Sequence, residues 1–374
     1  MKICFVINEC NFFYSHRFIL AKKLTSSAEV FVLTDTSNME SGIIEKILAS
    51  NIKLYELPRR TSTKGVFGVF FYFTRLLNAI QQIKPSSIFF VTLELSFFGI
   101  IISWFHRKIS CFYLITGLGQ YFFNQSIKNK IINFIYKIIF QSSKLKLNSK
   151  FIFQNTDNKK TLIDHGYVLE RQSILIHGSG VDLENIKFTK RSGLKPISFL
   201  FSSRLVKAKG IREFIEAGIV IKKLYPEISL NIAGRYDPSD PDSISEKLFQ
   251  EMQNLNIFNY LGNIDYDDTQ QLYLNSDIFV LPSYGEGLPK AALEAATSGM
   301  PLILSNVSGC AECLHEGING FVVDFHDALS VKNAMEKFIT EPSIIKKMSI
   351  NSRQLIESKF SIKRISDQYK ALLP

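Results

Sequence analysis

Short apolar runs alternate with longer amphipathic segments along the whole chain. The runs are bounded by Gly, Pro, Asn or Asp, which is typical of strands buried in a parallel sheet. They predict strands at residues 2–8, 30–34, 87–92, 111–116, 150–155, 174–176, 196–201, 228–233, 260–261, 278–281, 301–305 and 321–323. The segments between them have helical periodicity, so the pattern predicts repeated β-α units and an α/β fold with parallel sheets.

The β-α pattern pauses at His177-Gly-Ser-Gly-Val-Asp182, where two glycines allow unusual backbone angles. A chain of 374 residues is too long for one ordinary domain and fits two. We therefore predict one Rossmann-like domain over residues 1–183, a second over 184–357 and a terminal helix within 358–374.

The helix predicted at residues 127–140 has a broad apolar stripe and several lysines away from it. The stripe includes Ile131, Phe134 and Ile138. Two interpretations are open. Either the stripe packs on the core and the lysines are solvated, or the helix lies on an anionic membrane.

Charge is unevenly distributed between the two halves. Residues 1–185 hold 22 Lys and Arg against 12 Asp and Glu, whereas residues 186–374 hold 22 of each, so the net charge of +10 belongs to the first half. Such asymmetry indicates contact with a polyanion or an anionic membrane. The aromatic and basic motifs of known nucleic-acid modules are missing, so we expect no nucleic-acid partner.

Compartment and membrane topology follow from the cysteines and the apolar runs. The five cysteines have irregular spacing that gives no disulfide framework, which favours a reducing compartment. The N-terminal apolar run ends too early for a signal peptide. No run reaches the roughly 18 apolar residues of a spanning helix. We expect a cytoplasmic protein with peripheral contact at the inner membrane face.

Two motifs that suggest metal binding have simpler interpretations. Asp265-Tyr-Asp-Asp268 precedes a predicted helix at 269–275, where acids cap the helix and complement its dipole. Cys310-Ala-Glu-Cys313 with His315 has no second ligand pair, so its cysteines are predicted to be packing residues. The sequence therefore predicts no metal and no cofactor.

The stretch from Ser283 to Gly299 has the strongest chemical signal. A buried strand at 278–281 leads into a Gly-flanked loop, and Pro289 stands where a helix of strong helix formers begins. This geometry offers backbone N–H groups and a positive dipole end to an anion. Two acids, Glu286 and Glu294, lie on the unit with seven residues between them.

This unit resembles the retaining glycosyltransferases of family 4, which have a GT-B fold and carry a Glu-x7-Glu motif. The resemblance implies two Rossmann-like parallel-sheet domains facing a central cleft. It also implies that Glu286 contacts the hydroxyls of the donor sugar and takes part in catalysis, and that Glu294 holds the ribose of its nucleotide. The backbone N–H groups of Gly287 and Leu288, ahead of Pro289, would then face the diphosphate.

A basic cluster after the strand at 196–201 supports this resemblance. Arg204 and Lys209 are five residues apart and are closed by a glycine, so they can converge on a diphosphate from opposite sides. The family has an Arg-Leu and a Lys-Gly at this spacing. The resemblance makes these two residues the diphosphate binders, which would stabilise the leaving nucleotide without a metal. Gly234 and Arg235 match a third family strand whose end faces the nucleotide.

Motifs in the first half resemble the subgroup that builds bacterial capsule and O-antigen polysaccharides on a polyprenyl diphosphate carrier. These are Ser15-His-Arg17 and Thr116-Gly-Leu-Gly119. His16 is the predicted proton-handling residue. Arg17, Thr116, Gly117 and Gly119 are predicted on the acceptor side. The first loop, residues 8–12, lacks the Gly-Gly pair that many family members carry.

The resemblance implies transfer of a hexosyl or N-acetylhexosaminyl group from a nucleotide-diphosphate sugar, with retention of the anomeric configuration. UDP is the expected nucleotide. The acceptor would be a polyprenyl-diphosphate-linked saccharide bound by the first domain, and the donor would bind the second. Two alternatives are a sugar-nucleotide 2-epimerase on the same fold and a non-enzymatic membrane or polyanion binder. An epimerase needs no acceptor and leaves the sugar on its nucleotide.

Overall fold

Both halves of the chain are built on parallel strand pairing, which we describe from a computed structural model. The structure describes residues 1–37, 39–58, 65–118, 127–146, 148–193 and 196–374. Its contacts divide the chain into two units, Met1–Gly180 with Ile362–Pro374, and Val181–Ser361. Neighbouring strands run parallel in both sheets, so the predicted α/β fold with two Rossmann-like sheets is confirmed.

The first unit contains a sheet with helices in its crossovers. Its strands are β1 Lys2–Glu9, β2 Glu29–Asp35, β3 Ile52–Glu56, β4 Ser87–Val91, β5 Ser110–Ile115, β6 Ser149–Phe153 and β7 Ser173–Leu175. They lie in the order β3-β2-β1-β4-β5-β6-β7. Its helices are α1 Cys10–His16, α2 Phe18–Leu24, α3 Ser41–Ala49, α4 Gly65–Ile83, α5 Leu93–Phe105, α6 Ile127–Ser142, α7 Thr156–Asp164 and the terminal helix Ile362–Lys370.

A row of stacked phenylalanines crosses the middle of this sheet. The ring centroids of Phe5 and Phe89 are 4.9 Å apart, and those of Phe89 and Phe112 are 4.7 Å apart. Tyr369 of the terminal helix lies 5.6 Å from Phe89 and is buried. Burying one such side chain stabilises the folded state by about 1.5–3 kcal/mol. The row therefore gives three of the 32 phenylalanines of the chain a role in its core.

The segment between β1 and α2 differs from the prediction. The sequence predicts a first loop at residues 8–12, but β1 continues to Glu9 and Cys10–His16 is helical. The helix forms because Cys10, Phe13 and Tyr14 are all buried, which puts one apolar face at i, i+3 and i+4. Arg17 then leaves helical geometry, with φ −129° and ψ −15°, before the next helix begins.

Helix α6 has its predicted position but not a fully buried stripe. Ile131, Phe134, Ile135 and Ile138 are between 46% and 64% exposed, whereas Phe140 is buried. The interpretation in which the stripe packs on the core is therefore wrong for these four side chains. No helix among the described residues combines the length and apolar character needed to cross a bilayer.

The second unit repeats the architecture with a smaller sheet. Its strands are β8 Ser198–Ser202, β9 Ser229–Ala233, β10 Phe258–Tyr260, β11 Ile278–Leu281, β12 Leu302–Ser305 and β13 Gly320–Val323. They lie in the order β10-β9-β8-β11-β12-β13. Its helices are α8 Ile211–Leu224, α9 Glu246–Asn254, α10 Thr269–Leu274, α11 Lys290–Thr297, α12 Ser308–Ala311, α13 Ala328–Thr340 and α14 Ser343–Lys359. The central strands β9, β8 and β11 position the candidate site.

Candidate active site

Three adjacent strands of the second sheet end at one edge. β8 leads to residues 203–210, β9 leads to Gly234 and Arg235, and β11 leads to residues 282–289. Carboxyl ends of neighbouring parallel strands share an edge, and ligands of such sheets bind there. The fold thus brings the predicted basic loop and the predicted acidic loop to the same edge.

Lys209 and Glu286 form an ion pair at this edge. Lys209 Nζ lies 2.7 Å from Glu286 Oε1, and the two side chains are only 23% and 9% exposed. The loops are joined by a backbone hydrogen bond from Tyr284 N–H to the Ala208 carbonyl, 2.9 Å long. Gly210, with φ +70°, permits this approach, since a Cβ there would lie 2.0 Å from the Pro282 carbonyl oxygen. Lys209 and Glu286, both predicted from the sequence to bind the donor, are therefore in direct contact, and the backbone hydrogen bond between their loops fixes their positions.

Helix α12 supports the loop that carries Glu286. A Cβ at Gly309 would meet the backbone carbonyl oxygens of Glu286 and Gly287 at 2.5 and 2.7 Å. The Ser305 hydroxyl donates to the Ser283 carbonyl. The loop thus lies directly on the α12 backbone, which only a glycine allows.

Cys310 and Cys313 lie beneath the same loop as free, buried thiols. Burial, with the nearby Glu286 carboxylate as a smaller cause, raises the pKa of Cys310. Burial likewise raises the pKa of Cys313, with Cys310 and Glu286 adding to the effect. Both thiols stay protonated, and a thiol needs to lose its proton to act as a nucleophile or metal ligand. Cys310 and Cys313 are thus buried, protonated side chains, which agrees with the packing role predicted for them.

Arg204 and Arg235 lie side by side at the ends of β8 and β9. The N–H of Leu205 donates to the Arg235 carbonyl at 3.0 Å. Each side chain is 67% exposed, and each guanidinium pairs with an acid, Arg204 with Asp240 at 3.5 Å and Arg235 with Asp237 at 2.8 Å. Exposed pairs of this kind contribute about 0–1 kcal/mol, so either arginine can exchange its partner for another anion at little cost.

Gly234 is required by the approach of these two strand ends. Its φ is +148°, and a Cβ would lie 1.7 Å from the Ser203 carbonyl oxygen. Its N–H donates to the Gly262 carbonyl at 2.7 Å, and its carbonyl accepts from the Tyr260 hydroxyl at 3.0 Å. The described contacts of Gly234 are backbone packing contacts at the sheet edge. The nucleotide contact predicted for Gly234 from the sequence stays a prediction.

Glu294 is buried on α11 and surrounded by hydrogen-bond donors. Its Oε1 accepts from the Tyr266 hydroxyl at 2.8 Å and lies 3.3 Å from Lys290 Nζ, and its Oε2 accepts from the Tyr273 hydroxyl at 3.3 Å. Lys290 also donates to the Tyr266 hydroxyl at 2.8 Å. The sequence prediction included none of these three partners. The spacing of Lys290, four residues before Glu294, was a usable signal for that pair.

The loop between the acids enters α11 as predicted. Pro289 precedes the first helical residue, with φ −75° and ψ 99°, and Lys290 begins the helix. Gly287 and Leu288 are partly exposed just ahead of it. Their N–H groups belong to the loop that leads into the positive end of the helix dipole, where an anion is stabilised.

The acids ahead of α10 do not cap it. Asp265 and Asp268 occupy the positions before the turn Tyr266–Asp268 and before the helix, yet neither side chain accepts a capping hydrogen bond. The capping part of that prediction is wrong. No cluster of three or more His, Cys, Asp or Glu that could hold a metal occurs among the residues that the structure describes.

The predicted residues of the first unit have different environments. The Ser15 hydroxyl lies 2.7 Å from His16 Nδ1 and also donates to the Asn11 carbonyl at 2.8 Å. The hydroxyl and the Nδ1 atom are therefore within hydrogen-bond distance, and either can be the donor. The ring stacks on Phe12 with a centroid distance of 4.3 Å. The His16 ring is thus in contact with both the Phe12 ring and the Ser15 hydroxyl.

Arg17 is almost completely buried, unlike an ordinary binding arginine. It is 2% exposed, and its Nε and Nη1 have no hydrogen-bond partner among the described residues. Burial lowers the pKa of its guanidinium, while Tyr369 of the terminal helix opposes that effect. Thr116 and Gly117 follow β5 and are partly exposed, and Gly119 lies outside the described residues.

Comparison with known proteins identifies similar sequences. Residues 182–355 match the family described as glycosyl transferases group 1. The N,N'-diacetylbacillosaminyl-diphospho-undecaprenol alpha-1,3-N-acetylgalactosaminyltransferase of Campylobacter jejuni is 25% identical over 368 residues, which cover 95% of this chain and 93% of that protein. The UDP-Gal:alpha-D-GlcNAc-diphosphoundecaprenol alpha-1,3-galactosyltransferase of Escherichia coli is 30% identical over 263 residues, 66% of this chain and 65% of that protein.

Solved structures share the architecture over the full chain. Anabaena HepE, crystallised with UDP and glucose, matches 100% of this chain and 99% of its own with a TM-score of 0.80 at 18% identity. WaaG, described as a glycosyltransferase involved in lipopolysaccharide biosynthesis, matches 99% of each chain with a TM-score of 0.72 at 13% identity. At these identities the likeness establishes the fold, which is the predicted GT-B fold.

Proposed function

We propose that this chain, a glycosyltransferase that carries a glycosyl transferases group 1 domain at residues 182–355, moves a hexosyl or N-acetylhexosaminyl group from a UDP-linked sugar to a saccharide on a polyprenyl diphosphate carrier. The names of the Campylobacter and Escherichia relatives, both of which state a diphospho-undecaprenol-linked sugar, support this acceptor class. The reaction serves bacterial surface polysaccharide synthesis and retains the anomeric configuration.

The observation that carries this proposal is the ion pair between Lys209 and Glu286 at the edge of the second sheet. In the proposed reaction, Lys209 and Arg204 stabilise the negative charge that develops on the leaving diphosphate, so no metal is needed. Glu286, held in place by Lys209, accepts hydrogen bonds from hydroxyls of the donor sugar with its remaining acceptor positions. The N–H groups of Gly287 and Leu288 complete the anion site, and Glu294 binds the ribose.

His16 is proposed as the group that receives the proton of the acceptor hydroxyl. A neutral His16 that donates from Nδ1 to the Ser15 hydroxyl has Nε2 as its proton acceptor. The stacked ring of Phe12 restricts rotation of the imidazole. Arg17, which is buried and feels the field of Tyr369 on the terminal helix, is proposed on the acceptor side together with Thr116 and Gly117.

Peripheral contact with an anionic membrane is supported by an exposed apolar surface of the first unit, which we call the apolar face. It consists of Phe67, Phe70, Phe71, Trp104, Phe105, Ile131, Phe134, Ile135, Ile138 and Leu145. Ring contacts join α4 to α5 and α5 to α6, Tyr72 to Phe98 at 5.7 Å and Phe97 to Tyr136 at 5.2 Å.

Basic side chains accompany the apolar face. Arg75 lies over the Phe71 ring at 5.2 Å, and Lys146 lies over the Trp104 ring at 4.9 Å. Arg107 and Lys108 are exposed beside Phe105. A soluble protein rarely exposes so many large apolar side chains on neighbouring helices, and lysines or arginines around them suit anionic headgroups. The face would hold the enzyme near its lipid-linked acceptor.

Replacing Phe67, Phe70 and Phe71 together by serine should weaken binding to vesicles that contain phosphatidylglycerol at least about tenfold, because the inserted apolar area is lost. Vesicle co-sedimentation measures the effect. The control replaces Leu224 and Leu329 by serine, since these exposed residues belong to the second unit. Equal binding by the triple variant and the wild type would contradict the proposed membrane contact.

Transfer itself is tested with a panel of nucleotide sugars and a polyprenyl-diphosphate-linked sugar as acceptor, followed by mass spectrometry. The acceptor should gain one hexose or N-acetylhexosamine, with retention visible by NMR. Glu286→Ala and Arg204→Ala should each lower the rate about 100-fold. Arg212→Ala, which alters another exposed arginine of the unit, should not. Sugar inversion on the nucleotide without an acceptor would instead identify a 2-epimerase, and vesicle binding without any reaction would identify a binder.

A further inference from the structure

The Glu294 carboxylate already has two tyrosine hydroxyls and an ammonium around it, and the proposed function gives these three groups no role. A carboxylate has about four acceptor positions. The Tyr266 hydroxyl donates to Oε1, and the Lys290 ammonium lies 3.3 Å from the same oxygen as its ion-pair partner, so these two groups together cover Oε1. The Tyr273 hydroxyl donates to Oε2, which leaves about one open acceptor position, on Oε2. Two ribose hydroxyls that bind this carboxylate together therefore have to displace one of the present donors.

Tyr273 is held too firmly to be that donor. It is 2% exposed, and its ring packs edge-on against Phe279 with a centroid distance of 6.5 Å. The buried guanidinium of Arg191 donates to the backbone carbonyls of Tyr273 and Leu274 at 2.6 and 3.1 Å. Moving the Tyr273 side chain would break up this core.

Lys290 is also fixed, because it belongs to α11 itself, one turn from Glu294. Its ammonium is charged, and an ion pair that is only 13% and 6% exposed is costly to separate. Tyr266 is different. It lies on a single 3-10 turn, Tyr266–Asp268, it is only half-buried, and its neighbours Asp265 and Asp267 are exposed.

We propose that the Tyr266 hydroxyl occupies the position on Glu294 that the second ribose hydroxyl of the donor takes, so that Tyr266 is a competitor that the nucleotide displaces. This inference rests on the proposed function, which assigns Glu294 to the ribose. A nucleotide with one ribose hydroxyl uses the remaining acceptor position and leaves Tyr266 in place. Tyr266 therefore lowers affinity only for ligands that carry both hydroxyls.

The test measures the dissociation constants of UDP and of 2′-deoxyuridine diphosphate by calorimetry for the wild type and Tyr266→Phe. The phenylalanine retains the ring beneath Lys290, which lies 4.6 Å from its centroid. UDP should bind the variant about fivefold more tightly, the factor that corresponds to one net hydrogen bond, whereas binding of the deoxynucleotide should not change. Tyr266→Ala, which lacks the ring as well, should show the same difference between the two ligands.

The matched control is Tyr225→Phe, which removes another tyrosine hydroxyl that donates to a glutamate in this unit, Glu336 at 3.2 Å. It should leave both dissociation constants unchanged. Unchanged or weaker UDP binding by Tyr266→Phe would overturn the inference but leave the proposed function intact. Equal tightening for both ligands would also overturn it, because the gain would not depend on the second hydroxyl. A wild type that binds neither nucleotide would overturn the proposed function and this inference with it.

Discussion

Replacing Lys209 by methionine should lower the rate of sugar transfer about 100-fold to 1,000-fold, the range observed when one preorganised donor to a developing negative charge is removed. Methionine retains the length of the side chain but removes the ammonium that contacts Glu286 at 2.7 Å. The rate is measured with saturating donor and acceptor, and the dissociation constant of UDP is measured separately. UDP should bind more weakly, since the diphosphate loses a charge-assisted hydrogen bond.

Two further variants decide what Lys209 does. Lys207→Met alters an exposed lysine on the same short turn and should leave both quantities unchanged. Lys209→Met combined with Glu286→Gln removes both charges, so no carboxylate is left buried without its partner. If Lys209 contacts the diphosphate, UDP binding stays weak in the double variant. Recovery of UDP binding would mean that Lys209 serves only to neutralise Glu286.

Five charged side chains of the predicted donor site form ion pairs within their own unit. Arg204 pairs with Asp240, Arg235 with Asp237, Lys209 with Glu286, and Glu294 with Lys290. The arginine pairs are exposed and exchange partners at little cost, whereas the other two are shielded from solvent. In the proposed function, the exposed arginines would exchange their partners for the diphosphate and contribute long-range attraction, while the Lys209–Glu286 pair would contribute fixed geometry.

The strands could be predicted from sequence because a buried parallel strand is apolar on both faces. β4 is an example, since all five of its residues are buried. β3 escaped prediction because it is an edge strand. Only Ile52 of β3 is fully buried, while Lys53 and Glu56 are exposed, so no continuous apolar run marks it.

Only part of the candidate site could be predicted, because only some of its contacts follow from the order of the strands. Lys209 and Glu286 could be placed together because each follows a strand, and the topology of a parallel sheet brings such loops to one edge. The contact between Tyr266 and Glu294 spans 28 residues and depends on where a short turn lies against α11, which no local pattern encodes. Burial of Arg17 was likewise invisible, because an arginine in a motif suggests a surface contact.

Replacing Gly309 by alanine should lower kcat/KM about 10-fold to 100-fold, although Gly309 carries no side chain and contacts no proposed substrate. The added methyl group would lie 2.5 Å from the Glu286 carbonyl oxygen and 2.7 Å from that of Gly287, so the loop has to move outward. A displacement of about 1 Å at a positioned group can cost about 100-fold in rate. Overpacking should also reduce the free energy of unfolding by about 1–3 kcal/mol.

The matched control is Gly42→Ala, since a methyl group at Gly42, in the first turn of α3, meets no heavy atom within 4 Å. Steady-state kinetics and thermal unfolding are compared for both variants. The donor-site interpretation requires that the Gly309 variant lose activity with its Lys209 and Glu286 side chains untouched. Wild-type kinetics combined with a lowered melting temperature would show that the loop on α12 contributes stability alone, and the position of Glu286 would then not control the rate.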